Sequence, residues 1–270
     1  MLPEYLQIFN ETLEQFNSRF PRKQWSEEFK NNLINDYSFY SARIEDSKLQ
    51  YGDTIRFLNN ESIKGINLNS LLVISDHQSI LKKLIDSLEV TTESFVITED
   101  LIKKLHGTLM ESPYAWETDF KPELVGNYRN VPAVGSREPY FENKDYIAHY
   151  NLEVIMPSHI DIFNNRFSKI DNTNYDNHLL TTVAFFHNQF LNSLHPFADG
   201  NGRVCRIIMG AVLMSNNCPP IFPQITDQEK QVEYITKIVE CENANNDELL
   251  VKYFANGMTN YLLERLSIRV

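Results

Sequence analysis

The sequence predicts an all-α fold with one small β excursion. Two observations carry the prediction. Apolar residues recur at steps of three and four along most of the 270 residues, which is the period of one helix face. Between Ser112 and about Asp145 that period stops, and prolines and aromatics take its place.

Leu6, Phe9, Leu13 and Phe16 mark a first helix, which Pro21 ends. Ser26 followed by Glu27 and Glu28 reads as an N-cap with two acids in the first turn. Phe29, Leu33, Tyr37, Tyr40 and Ile44 then line one face of a long helix, and Ile34, Ser38, Ser41 and Glu45 line a second. Residues 47–75 are polar and read as loop and short turns. Ile80, Leu81, Leu84, Ile85 and Leu88 mark another helix, and Thr98 caps the next, with Leu101, Ile102, Leu105 and Leu109 inward. The segment from Gly126 to Gly135 reads as a β-hairpin whose strand, holding Pro132, belongs at an edge. Helix is expected to resume near Pro157, a good first-turn residue. One amphipathic helix runs from Leu179 to His195, another from about Val204 until Cys218-Pro219-Pro220, and two more cover about 228–241 and 247–266.

Composition fits a globular chain: 42% hydrophobic, 23% charged, with 9 Gly and 11 Pro. This excludes a disordered, collagen-like or linker-dominated protein. With 25 basic against 36 acidic side chains the net charge is −11, so no nucleic acid and no anionic membrane is expected as a partner. No window of about 18 apolar residues occurs, and Met1-Leu2-Pro3-Glu4-Tyr5 lacks the pattern of a secretory signal. Cys205, Cys218 and Cys241 form no CxxC pair. A reducing, cytoplasmic location is expected. The sequence permits a homo-oligomer.

Chemistry concentrates in His195-Pro196-Phe197-Ala198-Asp199-Gly200-Asn201-Gly202-Arg203-Val204-Cys205-Arg206. Gly200 and Gly202 let the backbone turn and approach a ligand closely. A Gly-Asn-Gly turn opening a helix aims unpaired N–H groups one way, at the positive end of the macrodipole, which makes an anion site. Arg203 and Arg206, three residues apart, can grip phosphate oxygens. Asp199 offers a hard oxygen to Mg²⁺ beside those phosphates. His195 is placed to take a proton near neutral pH, and Phe197 anchors the loop in the core. Any one of these features has an ordinary structural reading; their conjunction in twelve positions does not. His187 reads as a packed core histidine, and no Walker A, GxGxxG or HExxH pattern occurs.

The segment resembles the signature of the Fic family, HxFx(D/E)GNGRxxR, and meets every defined position of it. Gly126-Asn127-Tyr128-Arg129 falls where that family has its target-docking flap, and Cys218-Pro219-Pro220 and Tyr234 fit the sequence that follows its motif helix. The resemblance covers residues 96–265 as a Fic core, a helical bundle with a small hairpin flap, preceded by an N-terminal helical region, 1–95. It implies transfer of AMP from ATP to a Ser, Thr or Tyr hydroxyl of a target protein docked on the 126–135 flap. In that reaction His195 is the general base, Asp199 holds Mg²⁺, and Gly200, Asn201 and Gly202 cradle the phosphates, with Arg203 and Arg206 holding their β/γ end. The rival enzyme readings are removal of AMP from a target, with Glu45 orienting water, and transfer of another nucleotide or phosphate moiety. Outside enzymes, the rival is a helical module that binds a nucleotide or phosphopeptide; binding alone would need no base at His195.

Ser41-Ala42-Arg43-Ile44-Glu45-Asp46 also resembles the family's inhibitory motif, (S/T)xxxE(G/N), placed in a helix over about 27–46. Ser41 and Glu45, four apart, share one face of it. The implied mechanism is competition: Glu45 pairs with Arg206 in the place of the γ-phosphate, and ATP then binds with its α-phosphorus turned away from attack. Asp46 departs from the Gly or Asn of the motif, which leaves the way the helix ends open.

Overall fold

The computed structural model describes residues 1–46, 48–61, 63, 65–90, 95–114, 122–135, 144–220 and 223–267. Its helices are α1 (Glu4–Arg19), α2 (Glu27–Glu45), α3 (Tyr51–Leu58), α4 (Leu68–Val90), α5 (Glu99–Tyr114), α6 (Leu152–Phe167), α7 (Leu179–Asn188), α8 (Asn201–Ser215), α9 (Gln228–Ala244) and α10 (Glu248–Ser267). Among the described residues none is long and apolar enough to cross a membrane.

The bundle is built around α8. Every residue from Arg203 to Met214 is buried: from Ile207 on the helix is apolar on all sides and has neighbours on all sides, and Arg203 and Arg206 before it are paired with carboxylates. It packs against α4, α5 and α7, while α2 lies on α4 and α1 lies along α10. One contiguous core runs from Leu6 in α1 through Val204–Met214 to Leu262 in α10. A smaller cluster, Phe39, Ala42, Leu49, Val73 and Ile74, sits where α2, α3 and α4 meet.

Local signals hold where they are strong. The Ser26 hydroxyl accepts from the Phe29 N–H at 3.1 Å and caps α2, and Thr98 caps α5 in the same way through Leu101. Tertiary contacts then tie α2 down. The buried Asp36 carboxylate accepts from Tyr51 of α3 at 2.7 Å, from Tyr261 of α10 at 2.8 Å, and from Arg265.

Three expectations require correction. Residues 47–75 are not mainly loop: α3 lies within them and α4 begins at Leu68. Pro157 is not at a helix start but inside α6. It and Glu153, whose carbonyl loses the N–H of a residue four ahead, both lie on the exposed face, where water serves that carbonyl. The hairpin flap expected over 126–135 is not seen there. Residues 126–133 are turn, bend and irregular backbone, and the pairing is two rungs long, Val134 with Asp145 and Gly135 with Lys144; residues 136–143 lie outside the described ones. The physical reason is Arg129. Its backbone N–H donates to Pro196 O at 2.9 Å and its guanidinium to the carbonyls of His195 (2.8 Å), Val131 (3.2 Å) and Ile147. This base of the segment is stapled to the bundle rather than free to pair as a strand.

Candidate active site

The turn between α7 and α8 is shaped by local bonding. α7 widens into a π-helical stretch, Gln189–Leu194, that ends on His195 in the left-handed conformation, φ 42°. The His195 N–H donates to Phe190 O at 2.9 Å, and its Nδ1 lies 3.0 Å from Leu191 O. A carbonyl only accepts, so Nδ1 carries the proton and Nε2 is the basic nitrogen. Tyr146 stacks on the imidazole, ring centres 3.9 Å apart and planes 12° from parallel.

Phe197 is fully buried and stacks on His106 of α5 at 3.9 Å. Asn201 locks the loop from both sides: its Oδ1 accepts from Phe197 N–H at 2.9 Å and its Nδ2 donates to Phe197 O at 2.8 Å. His106 adds a second brace. The Gly126 N–H donates to its Nδ1 at 2.9 Å, which leaves Nε2 protonated and donating to Asp199 O at 3.1 Å. Burial pushes the His106 imidazole down to about 4, so it stays neutral as this network requires.

Gly200 caps α8 with φ 76°, and a Cβ there would meet Met110 Sδ at 2.6 Å. Gly202 has an ordinary helical φ; there the requirement is space, since a Cβ would lie 2.8 Å from Arg206 Nη1 and 3.4 Å from Glu45 Oε1. The first N–H groups of α8 therefore face a cavity of about 420 Å³ without a side chain in front of them. His195, Asp199, Arg206 and Glu45 line its polar side; Leu191 and Ile235 are on its apolar side.

Of the two arginines only Arg206 faces the cavity. The guanidinium of Arg203 turns back to Asp199, Nη2 to Oδ2 at 2.9 Å, while Asp199 Oδ1 accepts from Gly200 N–H at 2.6 Å. Arg206 donates from Nη2 to Glu45 Oε1 at 2.8 Å and to Ser41 O at 3.2 Å, and from Nε to Ser41 Oγ at 2.7 Å. Burial works against its charge, but the Glu45 carboxylate together with the nearby Tyr234 and Tyr37 outweighs it, holding the guanidinium above its ordinary value. Tyr37, also on α2, donates to the Arg206 carbonyl, and Gln231 of α9 donates to Ile44 O at 2.7 Å, capping the end of α2. Asp46 is extended rather than left-handed, and its carboxylate turns away to accept from Lys48 N–H at 3.0 Å and Ser70 Oγ at 2.6 Å.

The Fic/DOC family profile matches residues 96–213. The chain carries a Fic/DOC domain. Solved structures agree on the fold: a Fic domain containing signaling protein from Bacteroides thetaiotaomicron superposes with a TM-score of 0.75 at 19% identity, over 96% of this chain and 94% of that one. Fic-1 from C. elegans does so with a TM-score of 0.74 at 20% identity, over 97% and 70%. Two curated relatives are each named Protein adenylyltransferase Fic. The one from Nematostella vectensis is 41% identical over 44 residues, 16% of this chain and 10% of that protein. The one from Aedes aegypti is 34% identical over 58 residues, 22% and 11%. The chain thus spans about a tenth of the length of the curated relatives it matches.

Within the Fic domain lie His195, Asp199, the glycines, Arg203 and Arg206; Ser41 and Glu45 reach it from α2, outside the matched stretch. The sequence reading named Arg129 within the flap segment but missed its bonds to the loop, and it missed His106, Tyr146 and, outside the domain, His77 of α4, whose Nε2 lies 2.9 Å from Ser41 Oγ. His106 had a signal: it sits at helical spacing between Ile102 and Leu109, in an apolar stripe. Tyr146 had none, and the bond of Arg129 to His195 had none either, since those partners lie 49 and 66 positions away in the sequence.

Proposed function

We propose that this chain is a protein adenylyltransferase that transfers AMP from ATP to a hydroxyl of a target protein and is held back by Glu45. His195 Nε2 takes the proton of the hydroxyl as its oxygen attacks the α-phosphorus; the bond to the β-phosphate breaks and pyrophosphate leaves. The N–H groups opening α8 and the Arg206 guanidinium meet the phosphate charge, so the residues supply positioning and neutralisation rather than covalent chemistry. Among the described residues no group of three or more His, Cys, Asp or Glu could cage a metal. Mg²⁺ fits nonetheless, because it needs only one or two carboxylates beside phosphate and water, and the Asp199 side chain is 61% exposed. Asp199 would hold the ion, which when bound neutralises charge on the α- and β-phosphates. An extended target segment would add beyond the Arg129 staple, along residues 130–135.

The observation that carries this reading is the fixed tautomer: Nδ1–H on Leu191 O leaves the basic nitrogen of His195 beside a cavity built for anions. A second reading, removal of AMP from a modified target, draws on Glu45, whose carboxylate lines the same cavity and stays 45% exposed while paired, able to orient water.

The test incubates wild type, Glu45→Gly and Glu45→Gly/His195→Ala with Mg²⁺ and ATP labelled at the α or the γ phosphate. Protein-bound α label that needs His195 is the expected result. Bound γ label would mean phosphorylation, and no label from Glu45→Gly would favour a nucleotide-binding module. Release of AMP from a pre-labelled target that needs Glu45 would favour the second reading.

A further inference from the structure

We propose that His77 is a positioning residue of the Glu45 brake: it fixes the Ser41 hydroxyl so that Ser41, in turn, holds Arg206 against α2. The proposal rests on the reading of Glu45 as a brake, and it adds a third helix, α4, to the device.

Donors and acceptors fix the direction of each bond around Ser41. His77 is fully buried. Its Nδ1 lies 2.7 Å from Val73 O, so the proton is on Nδ1 and Nε2 can only accept. Ser41 Oγ, 2.9 Å away, therefore gives its hydrogen to His77. That leaves the lone pairs of Ser41 Oγ turned towards Arg206 Nε, which donates at 2.7 Å. The chain runs in one direction, from Arg206 through Ser41 and His77 to the Val73 carbonyl, and each donor has its acceptor. A serine inside a helix otherwise tends to turn its hydroxyl to the carbonyl four residues back, here that of Tyr37.

Packing alone does not ask for an imidazole at this position. Val73, Ile74, Ile80 and Leu81 are the nearest buried residues before and after it on α4, and a leucine would continue their stripe. Burial, with Arg206 and Arg203 near, pushes the His77 imidazole down to about 3, so the relay stays neutral and does not switch near physiological pH.

The experiment compares His77→Leu, which removes the acceptor, with His77→Gln, whose Oε1 can reach the place of Nε2, each in the wild-type and the Glu45→Gly background. Two readouts are taken: uptake of α label from ATP with Mg²⁺, and amide hydrogen exchange of residues 41–46. In the wild-type background His77→Leu should raise labelling about 3–10-fold, the range a single hydrogen bond supports, and speed exchange in 41–46. His77→Gln should stay within about twofold of wild type, and in the Glu45→Gly background His77→Leu should change labelling little. Unchanged exchange and labelling in His77→Leu would overturn the proposal. So would faster exchange throughout the bundle that His77→Gln fails to restore, the mark of a packing role. Absence of label from every variant, Glu45→Gly included, would sink the adenylyl-transfer reading instead, and exchange in 41–46 would still decide the place of His77.

Discussion

Arg206 Nη2 and Glu45 Oε1 stand 2.8 Å apart, joining residues separated by 161 positions in the sequence. The pair is asymmetric, with an arginine side chain 2% exposed and a glutamate 45% exposed. A buried guanidinium needs an anion beside it, and Glu45 or a phosphate can serve. A hydrogen bond to a charged group contributes about 1.5–3 kcal/mol, so Glu45→Gly should raise α-label transfer about 10–100-fold. Titration with ATP in a self-labelling assay measures this; equal rates in wild type and variant would count against the brake.

The two glycines of the loop should respond differently to alanine. Gly200 is left-handed and its Cβ would meet Met110, so Gly200→Ala should destabilise the fold by about 1–3 kcal/mol. That corresponds to a melting temperature lower by about 3–10 °C. Gly202 is helical, and its Cβ would meet the end of the Arg206 side chain. Gly202→Ala should therefore melt near wild type and lose labelling even when combined with Glu45→Gly. A Gly200→Ala protein of unchanged stability would mean that Met110 and the turn adapt freely.

What the sequence made legible was local. The 195–206 loop, the Ser26 and Thr98 caps and the Ser41/Glu45 spacing are each contained within a dozen residues. What it concealed was set by packing. α3 contains Gly52, Asp53 and Thr54, poor helix formers, and it is held by Phe57 and Leu58 against the Phe39–Val73–Ile74 cluster. The start of α4 was hidden by His77, a polar residue inside an otherwise apolar stripe, whose partner Ser41 is 36 positions away. The turning of Arg203 onto Asp199 follows a spacing of four, yet the same spacing suits a phosphate clamp, and sequence alone does not choose between them.

Arg129 should act on the reaction through His195 without touching ATP. Its guanidinium is buried, and burial draws it below its ordinary value, while carbonyls of His195, Val131 and Ile147 take up its donors. Lysine cannot span three carbonyls in a plane. In the Glu45→Gly background, Arg129→Lys should lower the maximal labelling rate about tenfold while the ATP KM moves less than about twofold. A rise in KM alone would place Arg129 in nucleotide binding instead.

Acid should unfold this protein through its histidines. Burial pushes His77 and His187 down to about 3, and His106 and His178 down to about 4, from the ordinary value of 6.5. Between pH 6.5 and about 4 the unfolded chain binds protons at all four sites and the folded chain does not, so stability is full above 6.5 and falls as the pH drops. At pH 5 each site removes about 2 kcal/mol. Four such sites together rival the about 5–15 kcal/mol margin of an ordinary domain. Asp247, which burial raises, works in the opposite direction and offsets part of one site. The urea midpoint should therefore fall steeply between pH 7 and 5, with helical signal lost cooperatively near the lower end. His178 lies away from the 195–206 loop, its Nε2 3.0 Å from Asn10 Oδ1, so His178→Gln offers a check. This variant should flatten the profile by about a quarter of its slope, and a midpoint independent of pH over that range would show that the four imidazoles are not held neutral by the fold.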